Sequence, residues 1–346
     1  MFILPENFPI TLNDIQDVLG ATSLINASEI VNVNIGDPVP MSRFFGKGVT
    51  GEWFRNSATT YNFVVPNGVY SIAAVLVGGG GGGQGTPGCC SHGGGGGGGA
   101  LAYGNNIPVT PGETLTVKVG SGGSGGAKPA SLSNSVTNGS KGGDSYIMRG
   151  NEVLLKAEGG APGATWSPSY GASPSGSYLS GGGDGGVGGG GSNSSGGGGG
   201  GGAGGYTGKG GFGAIGQNNV GGNGAGGGGG GGSQYFPGDY QSPGNWPYQG
   251  GAGGGVDVFG RGTNGAAGTP SSTAHLMNGR GGSGAPSSTS QGRPSIYGGG
   301  GAGAQRYNSP RAGFSGARGA ARIIWGSNRF FPTNNVSLED SHGVTI

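Results

Sequence analysis

Few residues of this 346-residue chain have a type and spacing that could do chemistry. Cys89-Cys90-Ser91-His92 puts two thiols and an imidazole into four consecutive positions. Such groups suit a soft metal, but a zinc site takes four ligands separated by spacers. A disulfide between neighbours closes almost no loop and stabilises little. The other two histidines, His275 and His342, stand in no motif. The pattern G-x-G-x-x-G matches in many places, which says little when 96 residues are Gly. A dinucleotide site also needs a strand before that pattern and a helix after it. A Walker loop fails at Lys209, where Ala203 and Gly210 stand in place of Gly and Ser/Thr. Calcium-binding repeats fail at Asp144 and Asp184, where Ser140 and Leu179 replace required glycines. Among the 15 carboxylates no spacing singles out a catalytic pair. The expectation is a protein without enzymatic activity, catalytic residues, metal ligands or cofactor.

Composition removes further classes. Charged residues make up 9 % and the net charge is +2, with no Lys/Arg cluster to neutralise phosphates, so nucleic acid is not an expected partner. The longest apolar stretch, Ile72 to Val77, is too short to cross a bilayer, so no membrane insertion is expected. Glycine comes in unbroken blocks, which rules out the collagen period. Met1-Phe2-Ile3-Leu4-Pro5 has no basic region or long apolar core, so no signal peptide is expected.

The elements that could position a site divide the chain into four parts. Residues 1–50 are not Gly-rich and carry short capped apolar phrases, Ile10 to Ile15 and Ile25 to Ile30 among them. Leu12, Ile15, Val18 and Leu19 fall on one face of a two-turn helix, too short to be stable alone. With Phe44 and Phe45 they form a candidate docking surface, open to a partner or to self-association. Residues 51–160 are strand-rich. Tyr61 to Val65 and Val69 to Val77, joined by Pro66-Asn67-Gly68, predict a hairpin. Further strands are expected at 101–103, 114–119, 145–148 and 153–157, and a closing strand in 311–346, from Ala320 to Trp325. Strands at both ends with glycine between them predict a mainly β fold: a small β-sandwich with long insertions.

The insertions, concentrated in 161–310, include the Gly blocks 196–202 and 226–232, with 78–83 and 93–99 further upstream. A glycine run can adopt the extended three-residue-per-turn helix, which rises about 3.1 Å per residue and has no internal hydrogen bonds. Several blocks side by side can bond to one another, so a polyglycine II bundle is expected, with the aromatic segments at its bends. Tyr170, Tyr178, Tyr206, Phe212, Tyr297 and Tyr307 lie between or beside the blocks, where they serve either as caps or as binding anchors. The densest cluster, Tyr235, Phe236, Asp239, Tyr240, Trp246 and Tyr248, is the candidate receptor contact, stiffened by Pro237, Pro243 and Pro247.

Ile10 to Ile15 and Val39 to Gly46 resemble a short motif of bacteriophage tail and virion proteins, "I-S-L-x-D-I" followed by "I-S-M-S-D-F-Y-G", with Thr11, Asn13 and Arg43 as departures. Tyr61 to Val69, running on through Val77 into 78–83, resembles the phage glycine-rich domain pattern "F-x-V-P-x-G-V", then "V-x-x-V-G-G-G-G-G". Asn106 to Leu115 and Ser315 to Gly326 are similar to its next strand pair and last strand. The resemblance implies a virion protein of the distal tail, similar in idea to the glycine-rich adhesins at the tips of long tail fibres. The implied partners are other tail or baseplate proteins and a bacterial cell-surface receptor, protein or polysaccharide. The alternative is a purely structural baseplate, neck or capsid-decorating component without receptor binding.

Overall fold

A computed structural model describes residues 49–87, 92–130, 135–164, 168–191, 197–215, 219–232, 250–259, 264–268, 297–304 and 310–333. The expected N-terminal helix and docking residues Leu12, Ile15, Val18, Leu19, Phe44 and Phe45 lie outside these. The described residues hold ten strands and no helix: β1 (Gly51–Arg55), β2 (Thr60–Val64), β3 (Ser71–Val77), β4 (Leu101–Pro108), β5 (Thr114–Lys118), β6 (Ser145–Arg149), β7 (Glu152–Ala157), β8 (Pro174–Ser175), β9 (Gly181–Gly183) and β10 (Ala320–Trp325). They form two five-stranded sheets, ordered β1-β10-β3-β4-β9 and β2-β5-β6-β7-β8, with every pair antiparallel. The fold is a mainly β sandwich with glycine-rich insertions.

Patterning explains which face each strand buries. In β5, Leu115 and Val117 are buried while Thr114, Thr116 and Lys118 are not, the alternation of a half-covered sheet. The run in β3 is apolar throughout because both its faces are covered. Ile72, Ala74 and Leu76 pack toward the second sheet with Phe63, Leu115, Ile147 and Ile323. Ala73, Val75 and Val77 pack outward, beneath Ala203, Tyr206, Val256, Val258 and Tyr297 from the insertions and Phe331 from the segment after β10.

The expected β2–β3 hairpin is corrected by this arrangement. The Pro66-Asn67-Gly68 turn forms, with Gly68 at φ 74° and Val69 N–H donating to Pro66 O. It is a crossover between sheets, however: β2 pairs with β5, and β3 pairs with β4 and β10. Phe63 and Ile72 must both face the single core from opposite sides, which a flat hairpin cannot arrange. The closing strand β10 lies inside its sheet, between β1 and β3. Its Arg322, fully buried, donates to Glu52 of β1 at 2.7 Å and to Val258 O at 3.1 Å, and lies over the Phe259 ring. Arg329 shares the same carboxylate at 3.1 Å.

Where the sheets stop, the glycine lattice begins. In thread 78–86 the N–H groups turn to a different neighbour at each residue and return after three. Gly78, Gly81 and Gln84 donate to Ala100, Gly97 and Gly94. Gly79, Gly82 and Gly85 donate to Gly143, Ser140 and Thr137, and Gly80, Gly83 and Thr86 to Ala317, Phe314 and Arg311. All nine bonds lie between 2.8 and 3.0 Å, and partner numbers fall as the donor's rise, so these neighbours run antiparallel. The carbonyls repeat the scheme with parallel neighbours. Gly79 and Gly82 accept from Gly160 and Gly163, Gly80 and Gly83 from Gly123 and Gly126, Gly81 and Gln84 from Gly301 and Ala304. One thread thus touches six: 93–100, 137–143, 311–317, 158–163, 120–126 and 298–304. This is a hexagonal polyglycine II bundle, and it satisfies backbone groups that no side chain could reach. A Cβ on Gly79 or Gly82 would overlap the Ser121 or Ser124 carbonyl of the adjacent parallel thread. Thread 197–205 is a second hub, donating in turn to 93–99, 208–214 and 251–254.

Candidate functional site: the loop-bearing end of the bundle

Hydrogen bonds between threads place residues at common heights. One height joins Gly78, Ala100, Gly143, Glu158 and Ala317, directly beyond the sheets. The other joins Gln84, Gly93, Gly94, Gly198, Gly250, Gly303 and Ala304, with Gly232 bonded to Gly251 and Arg311 to Thr86. The two heights are six residues apart along 78–84, about 19 Å at this helix's rise. Thread after thread turns at the far height. The chain leaves it at Thr86, Ala127, Ala164, Gly191, Gly232 and Ala304, and returns at His92, Thr137, Ser169, Gly197, Gly250 and Arg311. Segment 233–249, bearing Tyr235, Phe236, Asp239, Tyr240, Trp246 and Tyr248, is therefore anchored at both ends to the far height; these six side chains lie outside the described residues. So do Cys89 and Cys90, while His92 is buried at the same end. Val49, by contrast, lies at the base, across the sandwich from the bundle. It lines a cavity of about 340 Å³ with Tyr70, Asn105, Asn106, Trp325, Asn328, Arg329 and Phe330.

The aromatic residues beside the blocks separate into two roles. Tyr206 and Tyr297 are buried against β3 and β10, and Tyr178 packs on the sandwich core. Burial pushes the Tyr206 phenol up, and its hydroxyl donates to Asp257 O at 3.0 Å. These are packing residues. Tyr170 and Phe212 stand out from the bundle, 78 % and 55 % exposed.

Why Tyr170 and Phe212 share a face follows from the alignment of their threads and not from their places in the sequence. Threads 169–172, 184–191 and 208–214 are consecutive lattice neighbours, through Gly188 with Ser169 and Gly213 with Val187. On an outer thread every third side chain points to solvent. Asp184-Gly-Gly-Val187 and Lys209-Gly-Gly-Phe212-Gly-Ala-Ile215 follow that period, and Lys209 pairs with Asp184 at 3.1 Å. The X-Gly-Gly triplet is the signal that could have revealed it.

At the near height Asp144 ties sheet to lattice. It accepts the Gly159 N–H at 2.9 Å and pairs with Lys156 at 3.0 Å and Lys141 at 3.6 Å. Burial alone would raise its pKa; the Gly159 N–H and the two lysines outweigh that and hold it below the ordinary value. Among the described residues no three His, Cys, Asp or Glu side chains come together as metal ligands. Among the described residues no helix is long and apolar enough to cross a membrane.

A comparison with curated proteins gives no match. The model of a family described as a glycine-rich domain matches residues 56–326, from just after β1 to the end of β10. That span contains nine of the ten strands and every thread of the lattice, and the chain belongs to this glycine-rich domain family.

Proposed function

We propose that the chain is a structural protein of a bacteriophage tail fibre or tail tip, acting by contact rather than catalysis, and that loops at the far end of the glycine bundle meet a receptor on the bacterial surface. The observation that carries this reading is the polarity of the molecule. Residues 1–48 join at the base, beside Val49, whereas six loops are anchored about 19 Å beyond the sheets by a lattice that leaves the backbone little freedom. Loops held on a stiff scaffold are suited to recognition. The phage-like phrases of residues 10–46 support a docking role for the base, through Leu12, Ile15, Val18, Leu19, Phe44 and Phe45. The far-end segment with Tyr235, Phe236, Asp239, Tyr240, Trp246 and Tyr248 supports receptor contact.

Deleting 235–248 and joining the chain with a short Gly-Ser bridge tests this. Particles carrying the shortened chain are expected to assemble and to lose adsorption to host cells. Normal adsorption contradicts the contact role and favours a purely structural component.

A further inference from the structure

The outer face formed by threads 169–172, 184–191 and 208–214 has properties that the far-end loops do not explain. Tyr170, Val187 and Phe212 stand at one height on three adjacent threads. Ser169 exchanges hydrogen bonds with Gly188, and Gly213 donates to Val187 O. They make a row across the bundle axis. The threads that carry Tyr170 and Phe212 are two lattice steps apart, about 10 Å at the spacing of hydrogen-bonded extended chains, and the Phe212 ring leans beyond its own thread, over Gly222. The Phe212 ring lies over Gly222: a methyl group on Gly222 would overlap its Cδ1 and Cε1 atoms. With no side chain beneath it, the ring rests against backbone and stays 55 % exposed. The face is electrically quiet, because Lys209 and Asp184 neutralise each other across the same two threads. The amide N–H groups of Val187 and Phe212 donate to no backbone acceptor among the described residues.

The geometry points to a second binding surface, on the flank of the bundle, for an uncharged polysaccharide lying across the threads. Exposed aromatic rings such as those of Tyr170 and Phe212 can accept the C–H face of a pyranose ring. The amides of Val187 and Phe212 left without a backbone acceptor can donate to hydroxyl and ring oxygens, and a face at least about 10 Å across has room for two consecutive sugar rings. A charged glycan finds no unbalanced partner here. This surface goes beyond the receptor contact proposed for the far end and does not rest on it.

Affinity electrophoresis of the purified full chain tests the proposal, in native gels cast with dextran, amylose, xyloglucan or galactomannan, and with alginate as an acidic control. Retardation is expected in at least one neutral gel. It should weaken about tenfold in apparent Kd in the Tyr170→Ala/Phe212→Ala variant, whose exposed positions leave the fold intact. Lys209→Ala/Asp184→Ala should leave it within about twofold. Four results overturn the proposal: no retardation in any neutral gel, retardation only in alginate, retardation unchanged by Tyr170→Ala/Phe212→Ala, or self-association in sedimentation that this double variant abolishes while no gel retards the chain.

Discussion

The Gly81 N–H donates to the Gly97 carbonyl across 2.8 Å, and the Gly97 N–H donates onward to Ala161 at 2.9 Å. Each amide of the lattice closes one contact while its residue opens another, so no thread is stable without its neighbours. A single intrusion into this packing should be felt well beyond its own position.

Gly81 and Gly112 separate close packing from backbone conformation. A methyl group on Gly81 would overlap the Ala161 carbonyl, whereas Gly112, at φ +80°, has open space around its Cβ position. Gly81→Ala should lower stability by about 3 kcal/mol or more through overpacking. Gly112→Ala should cost about 1 kcal/mol, from the left-handed backbone alone. Equilibrium denaturant unfolding of the two variants reads the difference.

Glu52 is a carboxylate shared by Arg322 and Arg329. Glu52→Gln leaves the fully buried Arg322 guanidinium without its counter-charge and should cost about 3 kcal/mol. Replacing Glu52 and Arg322 together with Leu and Met should recover part of that loss, because the pair's own desolvation is then removed too. Thermal unfolding of the single and double variants checks both expectations.

Asp144 predicts an acid-sensitive joint between sandwich and bundle. Its folded pKa lies below the ordinary value of 3.8. Its contribution is therefore fully present above that value and is lost as the pH falls through the lower, folded one. Asp144→Asn should destabilise the chain by about 1 kcal/mol at pH 6, and the gap to the unmodified chain should shrink at pH 3. Unfolding midpoints at the two pH values measure it.

Much of the sandwich was legible in the sequence. Ala320 to Trp325 stands out as a strand because an apolar β-branched run breaks a glycine background, and β10 occupies those residues. Thr114 to Lys118 alternates and becomes β5. β8 and β9 were not legible: Pro174–Ser175 and Gly181–Gly183 have no strand propensity and owe their pairing to β7 and β4. The hairpin expectation failed because local turn chemistry at Pro66-Asn67-Gly68 is the same whether the chain stays in one sheet or crosses to another. Polyglycine II was readable from the blocks, since only mutual pairing could hold them. The partner of each block was not, because identical glycines carry no register. The shared face of Tyr170, Val187 and Phe212 stayed hidden for the same reason: it exists only once the threads are aligned.

Amide hydrogen exchange of the glycines tests the lattice most directly. The N–H groups of Gly79 to Gly83, Gly95 to Gly99 and Gly198 to Gly204 should exchange as slowly as those of β3 and β10, through global unfolding alone. Exchange of these glycines at the rate of an unstructured chain, while β3 and β10 stay protected, would contradict it.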